Sequence, residues 1–290
     1  MMPSAQDALA RVALLRFGSL RTRIAVLYAS AFALVLAVVV ALASSGLSHF
    51  AHASAARDLA ANARVFDEII SVRAGQMGDQ AGVLARDFGF REAVATGDAP
   101  TIASALASLA ARAGSDSAFV LTLEGEVLGA SGTPVAAPES LWNKLDEGHT
   151  RGIIRSDRGL ALAAAAPIEA PDLIGWLVIA QPLNRAELDR LVELAPIALE
   201  ARVMDASEQP QWLRSKRPGA VVDHHEGQHA LYHASDLAVL QDGIAPRLVL
   251  RHSLETTLAA YAELKWLLLA LAAVGLGLVL GISWRVARGV

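Results

Sequence analysis

Two uncharged apolar stretches stand near the ends of the chain, and between them the period of the hydrophobic positions changes several times. The first stretch, Ile24 to Leu42, reads IAVLYASAFALVLAVVVAL. The second, Trp266 to Trp284, reads WLLLALAAVGLGLVLGISW, with Trp at each end as an interfacial belt requires. At about 1.5 Å per residue, either matches a bilayer core of about 30 Å. In lipid only a helix satisfies its own backbone groups over such a length. Membrane helices are therefore predicted over residues 24–46 and 263–284. Arg11, Arg16, Arg21 and Arg23 precede the first, opposed only by Asp7, and Arg285 and Arg288 follow the second. Positive charge stays inside, so residues 1–23 and 285–290 are expected in the cytoplasm and residues 47–262 outside it. A cleaved leader is the competing reading, with an A-x-A-like site at Ala51 and Ala53. The apolar run is longer than the usual ~7–15 residues of such leaders, and either reading leaves the middle of the chain outside.

The outward segment opens with a helical pattern from Ala51 to Thr96. Leu59, Ala63, Phe66, Ile70, Met77 and Leu84 share one seam of three- and four-residue steps, interrupted by Arg73 and Gln80. Over residues 51–73 the seam fits either a dimer stalk or a helix packed on its own domain. Gly97-Asp98-Ala99-Pro100 breaks the helix, and Asp98 caps a second one from Thr101 to Arg112. The period then falls to two. Strands are expected at Ala118–Leu123 and Glu126–Ala130, a short helix at Glu139–Glu147, and a hairpin of Gly152–Ser156 with Leu160–Ile168. Leu173–Ala180 is apolar enough for a central strand. Asn184 caps a helix to Leu194, and weaker strands follow at Leu199–Asp205, Ala230–Ser235 and Arg247–His252, with Gln209–Gln228 as a polar loop. Ser253 caps a helix that runs on toward the second membrane span. Strands and helices in this order give an α+β fold with antiparallel sheets.

Composition supports the membrane reading: 54% hydrophobic and 19% charged residues over 290. A net charge of −4 leaves no global basic field for nucleic acid. The absence of Cys excludes disulfides, thiolate nucleophiles and Cys-ligated metals.

The wording of the chain resembles a known family. FREAVATGDAPTIASAL (Phe90–Leu106), followed by DSAFVLTLEGEVLGAS (Asp116–Ser131), is similar to the helix-to-first-strand segment of double Cache sensor domains, and LIGWLVIAQPL (Leu173–Leu183) resembles the strand that closes their membrane-distal sheet. The resemblance covers residues 50–255. It implies two PAS-like sheet subdomains behind a long N-terminal helix, the distal one over about 97–183 and the membrane-proximal one over about 195–252. Ser283 to Arg288 resembles the start of a HAMP linker, although Gly289 stands where a Pro is usual. The resemblance implies a two-pass bacterial inner-membrane receptor, a homodimer with a periplasmic domain that takes a small-molecule ligand. Its output would be a cytoplasmic module outside this chain, of histidine kinase, cyclic-di-GMP enzyme or chemotaxis type. No cofactor is implied.

No nucleophile elbow, phosphate loop, dinucleotide motif or HExxH helix is present. The candidate ligand anchors near the distal sheet are Trp142, Arg151, Arg155, Asp157 and Arg158, the arginines being able to hold a carboxylate through two hydrogen bonds. His224, His225, His229 and His233, beside Asp223 and Glu226, offer imidazole and carboxylate ligands for Zn²⁺ or Ni²⁺, or a pH-sensing cluster near pH ~6. In an extended chain His229 and His233 face one side, while His224 and His225 point apart. Beside the receptor stand two other readings: a membrane-tethered periplasmic hydrolase or metal-binding protein using these histidines, and an envelope assembly protein using the helical stalk.

Overall fold

The computed structural model describes residues 20–132, 134–193, 195, 197–226 and 228–288. Most of the expected N-terminal cytoplasmic segment, the last two residues of the expected linker and the side chain of His225 lie outside the described residues. The chain forms two units, one of residues 1–53 with 256–290 and one of residues 54–255.

The first unit is helical. Helix α1 (Leu20–Ala85) contains, among the described residues, the one apolar segment long enough to cross a membrane, and Trp266–Ile282 is a shorter apolar stretch. The hydroxyls of Ser30 and Ser45 donate to the carbonyls of Leu27 and Leu42 at 2.9 and 3.0 Å, so these polar groups are satisfied within the helix itself.

In the second unit the rest of α1 lies against both sheets. Its buried apolar residues are Ala55, Leu59, Ala63, Phe66, Ile70, Ala74, Met77, Ala81 and Ala85. The steps are four, four and three, repeating every eleven residues, the period of a nearly straight helix. The expected seam used a seven-residue repeat, and it drifts off this stripe at exposed Gln80 and at Arg73. Arg73 instead reaches sideways: its Nε donates to Gln181 Oε1 at 3.0 Å, and the guanidinium pairs with Glu187 at 2.5 Å. The helix ends at Ala85, about three turns before the expected break at Gly97. Asp87 accepts from the Phe90 amide at 3.0 Å and starts α2 (Phe88–Ala95). Asp98 caps α3 (Ala99–Ala113) in the same way, through Thr101.

The five-stranded sheet contains β1 (Ser117–Leu121), β2 (Val127–Ser131), β3 (Arg151–Ser156), β4 (Gly159–Glu169) and β5 (Leu173–Pro182), in the order β2-β1-β5-β4-β3 and antiparallel throughout. The strand read as central, β5, is central. Alternation turns Phe119, Leu121, Ile154, Ala163 and Val178 to one face, where Leu141 and Leu145 of α4 (Pro138–Asp146) close the core. Leu177, Ile179 and Gln181 point to the other face, toward α1 and α3.

After α5 (Arg185–Val192) comes the four-stranded sheet: β6 (Glu200–Met204), β7 (Val221–Glu226), β8 (Gln228–Asp236) and β9 (Arg247–Ser253), in the order β6-β9-β8-β7. The segment read as a polar loop holds a helical turn, α6 (Gln211–Arg214), and the strand β7. Register puts Leu231, His233, Ser235, Leu250 and His252 on the face toward α1, where Ser235 donates to Asp67 at 2.7 Å. Helix α7 (Leu254–Arg288) begins at the residue after β9.

The two sheets are joined at an edge. β3 would expose its backbone groups, but the β8–β9 loop covers them. Ile153 donates to Ala238 O at 2.8 Å and accepts from Leu240 N at 2.9 Å, and Arg155 N donates to Gln241 Oε1 at 2.7 Å. Leu240 is fully buried in the core of the five-stranded sheet. Gly152 allows this approach, since a Cβ there would meet Val239 C at 2.7 Å and Leu240 N at 2.8 Å.

Both atoms are backbone and cannot rotate away. Gly152→Ala is therefore expected to destabilise the chain by about 1–3 kcal/mol, seen as a lower thermal midpoint. A second expectation concerns His233. Burial pushes its pKa below 6.5, outweighing the attraction of Asp67. The unfolded chain then takes up a proton that the folded chain resists, so stability is complete above 6.5 and is lost as pH falls toward the lowered folded value. Thermal midpoints measured between about pH 7.5 and 5.5 should fall, and His233→Gln should remove most of that slope.

Candidate functional site

The outer face of the four-stranded sheet carries a cavity of about 410 Å³, within the range of small-molecule sites. Its floor follows from strand alternation. Glu200, Arg202 and Met204 of β6, Val249 and Arg251 of β9, and Tyr232 of β8 all point outward on that side. Pro210, Trp212 and Leu213 form the roof.

The roof is held from its own N-terminal side. Asp205 is 5% exposed and accepts from Ala245 N at 2.8 Å and from Ser207 Oγ at 3.3 Å. Its backbone carbonyl takes the amides of Glu208 and Gln209, turning the chain into α6. Burial works against the Asp205 charge, but hydrogen bonds from the Ala245 and Ala206 amides and the nearby Arg155 outweigh it, so the pKa lies below 3.8. Leu213 then plugs the roof against Ala234 and Val249.

Aromatic rings wall one side. The Trp212 indole stacks on His224 with ring centres 4.0 Å apart and 18° between planes, and meets Tyr232 edge-on at 4.8 Å. Trp212 Nε1 is buried and makes no hydrogen bond among the described residues. On the floor, Arg251 donates to Glu200 Oε1 at 2.8 Å. Burial disfavours the Arg251 charge, yet the hydrogen bond with Tyr232 and the attraction of Glu200 hold its pKa above the ordinary value. Arg202, one register step along, has no ion pair or hydrogen bond among the described residues. The cavity thus combines an apolar, aromatic wall with one compensated and one uncompensated guanidinium.

The residues singled out from the sequence lie elsewhere or play into other contacts. Trp142 packs on the core of the five-stranded sheet. Arg151 crosses α1 where Gly75 and Gly78 leave room for it, 3.7 Å from Asp79. Arg155 pairs with Asp205 and so links β3 to the four-stranded sheet. Asp157 and Arg158 form the exposed β3–β4 turn, with Arg158 beside a recess of only about 30 Å³. These five are not brought together around one cavity. Of the four histidines, His224 lies against Trp212, exposed His229 and buried His233 are on the opposite face, and the side chain of His225 is outside the described residues. Among the described residues no three His, Asp or Glu side chains converge as a metal site would require. The sequence reading missed the cavity. Its signals were a lone Trp212 inside a polar stretch and the outward alternation Glu200, Arg202, Met204.

Among curated proteins no sequence matches this chain. Solved structures with a similar chain path include ligand-binding domains of three chemoreceptors. Campylobacter jejuni Tlp3, in complex with 4-methylisoleucine, aligns at 10% identity and a TM-score of 0.48, over 73% of this chain and 94% of that one. Pseudomonas aeruginosa PctB, in complex with L-Arg, aligns at 13% identity and a TM-score of 0.43, over 76% and 92%. Pseudomonas fluorescens CtaA, in complex with L-isoleucine, aligns at 11% identity and a TM-score of 0.41, over 75% and 96%. No residue role passes from them to this chain. Residues 69–202, from the later part of α1 through the five-stranded sheet to the middle of β6, match the family model of the CHASE4 domain, and that match is consistent with a sensor domain.

Proposed function

We propose that this chain is the input half of a transmembrane receptor of the double Cache type. Its two-sheet unit stands outside the cytoplasm and binds a small molecule. The observation that carries this reading is the cavity on β6, β8 and β9, because β9 runs into α7 with no residue between them. A ligand that favours one arrangement of β9 would bias the helix that follows it.

In the same reading both α1 and α7 cross the membrane. Leu34, Leu42 and Leu271 are 68, 66 and 68% exposed, which suits lipid far better than water. Both termini are assigned to the cytoplasm from the arginine placement, and the helix after Trp284 would continue into a HAMP-like linker and an output of kinase, cyclic-di-GMP or chemotaxis type. Self-association would use the exposed side of α1. Val65, Val72 and Val83 stand 55, 49 and 71% exposed on one stripe, seven and eleven residues apart.

A reporter enzyme active only outside the cytoplasm should work when inserted near Gly148 and fail when joined after Arg288. The opposite pattern would end the receptor reading. The chain has no Cys, so Val72→Cys gives a single clean thiol. Oxidation of membranes containing V72C should yield a disulfide dimer on a non-reducing gel, whereas Glu169→Cys should not.

A further inference from the structure

We infer that the cavity on the four-stranded sheet binds a small organic carboxylate with an apolar body, taken by Arg202 at the polar end and by Trp212 and Met204 at the other. This names the ligand class of the sensor proposed above and rests on that reading.

Charge decides the sign. Glu200 and Arg251 face each other across paired strands and are joined at 2.8 Å, so their charges largely cancel. Arg202 also lines the cavity, without an ion pair or hydrogen bond among the described residues. Among the residues lining the cavity Glu200 is the one carboxylate, against the two guanidiniums of Arg202 and Arg251, so the lining carries a net positive charge. A guanidinium with its fork free recognises a carboxylate through two parallel hydrogen bonds.

The walls decide the rest. Met204, Pro210, Trp212, Leu213 and Val249 offer apolar surface over most of the lining, which rewards a hydrocarbon body and gives nothing to inorganic phosphate. Size agrees with a compact molecule, because about 410 Å³ lies near the lower end of the range of small-molecule sites. The alternative is a recess of about 310 Å³ on α1 and α3, lined by Asp79, Gln80, Val83, Leu84 and Arg112, where the Asp79 carboxylate offsets the Arg112 charge. Beneath α4 the core side chains of the five-stranded sheet pack together, and the recess beside Arg158 holds about 30 Å³, the share of one water.

Binding to the purified full chain in detergent would be read by titration calorimetry and by the thermal midpoint. The probes are 3-phenylpropionate, indole-3-acetate, 4-methylvalerate and acetate, each at up to about 10 mM, which saturates even a millimolar site. The neutral 3-phenylpropanamide and inorganic phosphate serve as comparisons. At least one of the larger carboxylates should bind and raise the midpoint, with acetate and phosphate far weaker. Arg202→Gln, an exposed position whose change leaves the fold intact, should weaken that binding about tenfold or more. Trp212→Phe should weaken it less, and Arg158→Gln not at all. The inference is overturned if no carboxylate binds, if the amide binds as well as the acid, if phosphate competes equally, or if R202Q binds like the unaltered chain. Any of these results with the Gly148 reporter active outside sinks the ligand class and leaves the sensor reading standing. A reporter active only inside sinks both.

Discussion

One apolar stripe along the second half of α1 carries both sheets. Leu59, Phe66, Ile70 and Met77 are its large members, and each contributes about 1.5–3 kcal/mol when fully buried. Between them come Ala55, Ala63, Ala74, Ala81 and Ala85, small enough for the sheets to approach the helix backbone. An eleven-residue repeat keeps this stripe on one side of a helix that is nearly straight. A seven-residue repeat would have wound it around the axis, and the two sheets would then have met different sides of α1. The polar contacts follow from that straightness. Asp67 meets Ser235 in one sheet, and Arg73, two turns on, meets Gln181 in the other.

The same geometry leaves each sheet with one free side, and the two free sides have different fates. In the five-stranded sheet, α4 and Leu240 cover it with apolar side chains, so it is core. In the four-stranded sheet the helical turn that lies over it, α6, has four residues, and a turn of that length cannot cover four strands. The uncovered floor is the cavity. The covering of the first sheet and the opening of the second are linked, because Leu240 belongs to the β8–β9 loop of the second. That loop is pinned where Gly152 lets it approach β3 and where Arg155 meets Asp205, the residue that also turns the chain into α6. The contact between sheets and the roof of the cavity thus share one carboxylate.

The strands with clean period-two patterns and punctuating turns were legible in the sequence, as were the caps at Asp98 and Asn184. Local chemistry decides those features. β7 was not legible, because Asp223-His224-His225-Glu226 reads as a solvated loop, and only pairing with β8 and the Trp212 ring make it a strand. The helix break at Asp87 was hidden for a similar reason, since Phe88 and Phe90 continue an apolar pattern past it. Arg155 shows the limit for sites. As a hairpin arginine it suits a ligand carboxylate, but its partner Asp205 is fifty residues away, and no local pattern reveals the pairing. Arg202 was overlooked because its value lies in lacking what Arg155 has.

In the proposed receptor, Arg251 would be the residue that couples the cavity to the following helix. It faces the cavity with Glu200, while its neighbour His252 points to the α1 side and its Nδ1 donates to Ala198 O, 2.7 Å away. Leu254, fully buried, then begins α7. No loop separates β9 from α7, so in the proposed receptor a shift of the strand end would pass into the helix rather than be absorbed at the junction. A ligand drives such a shift only if it binds one arrangement better than the other. With the proposed ligand class, a carboxylate near Arg202 would also approach Arg251 and compete with Glu200 for it. The strength of the Glu200–Arg251 pair would then set how far a bound anion displaces β9, and a pair too strong would hold the strand in place whatever the cavity contained.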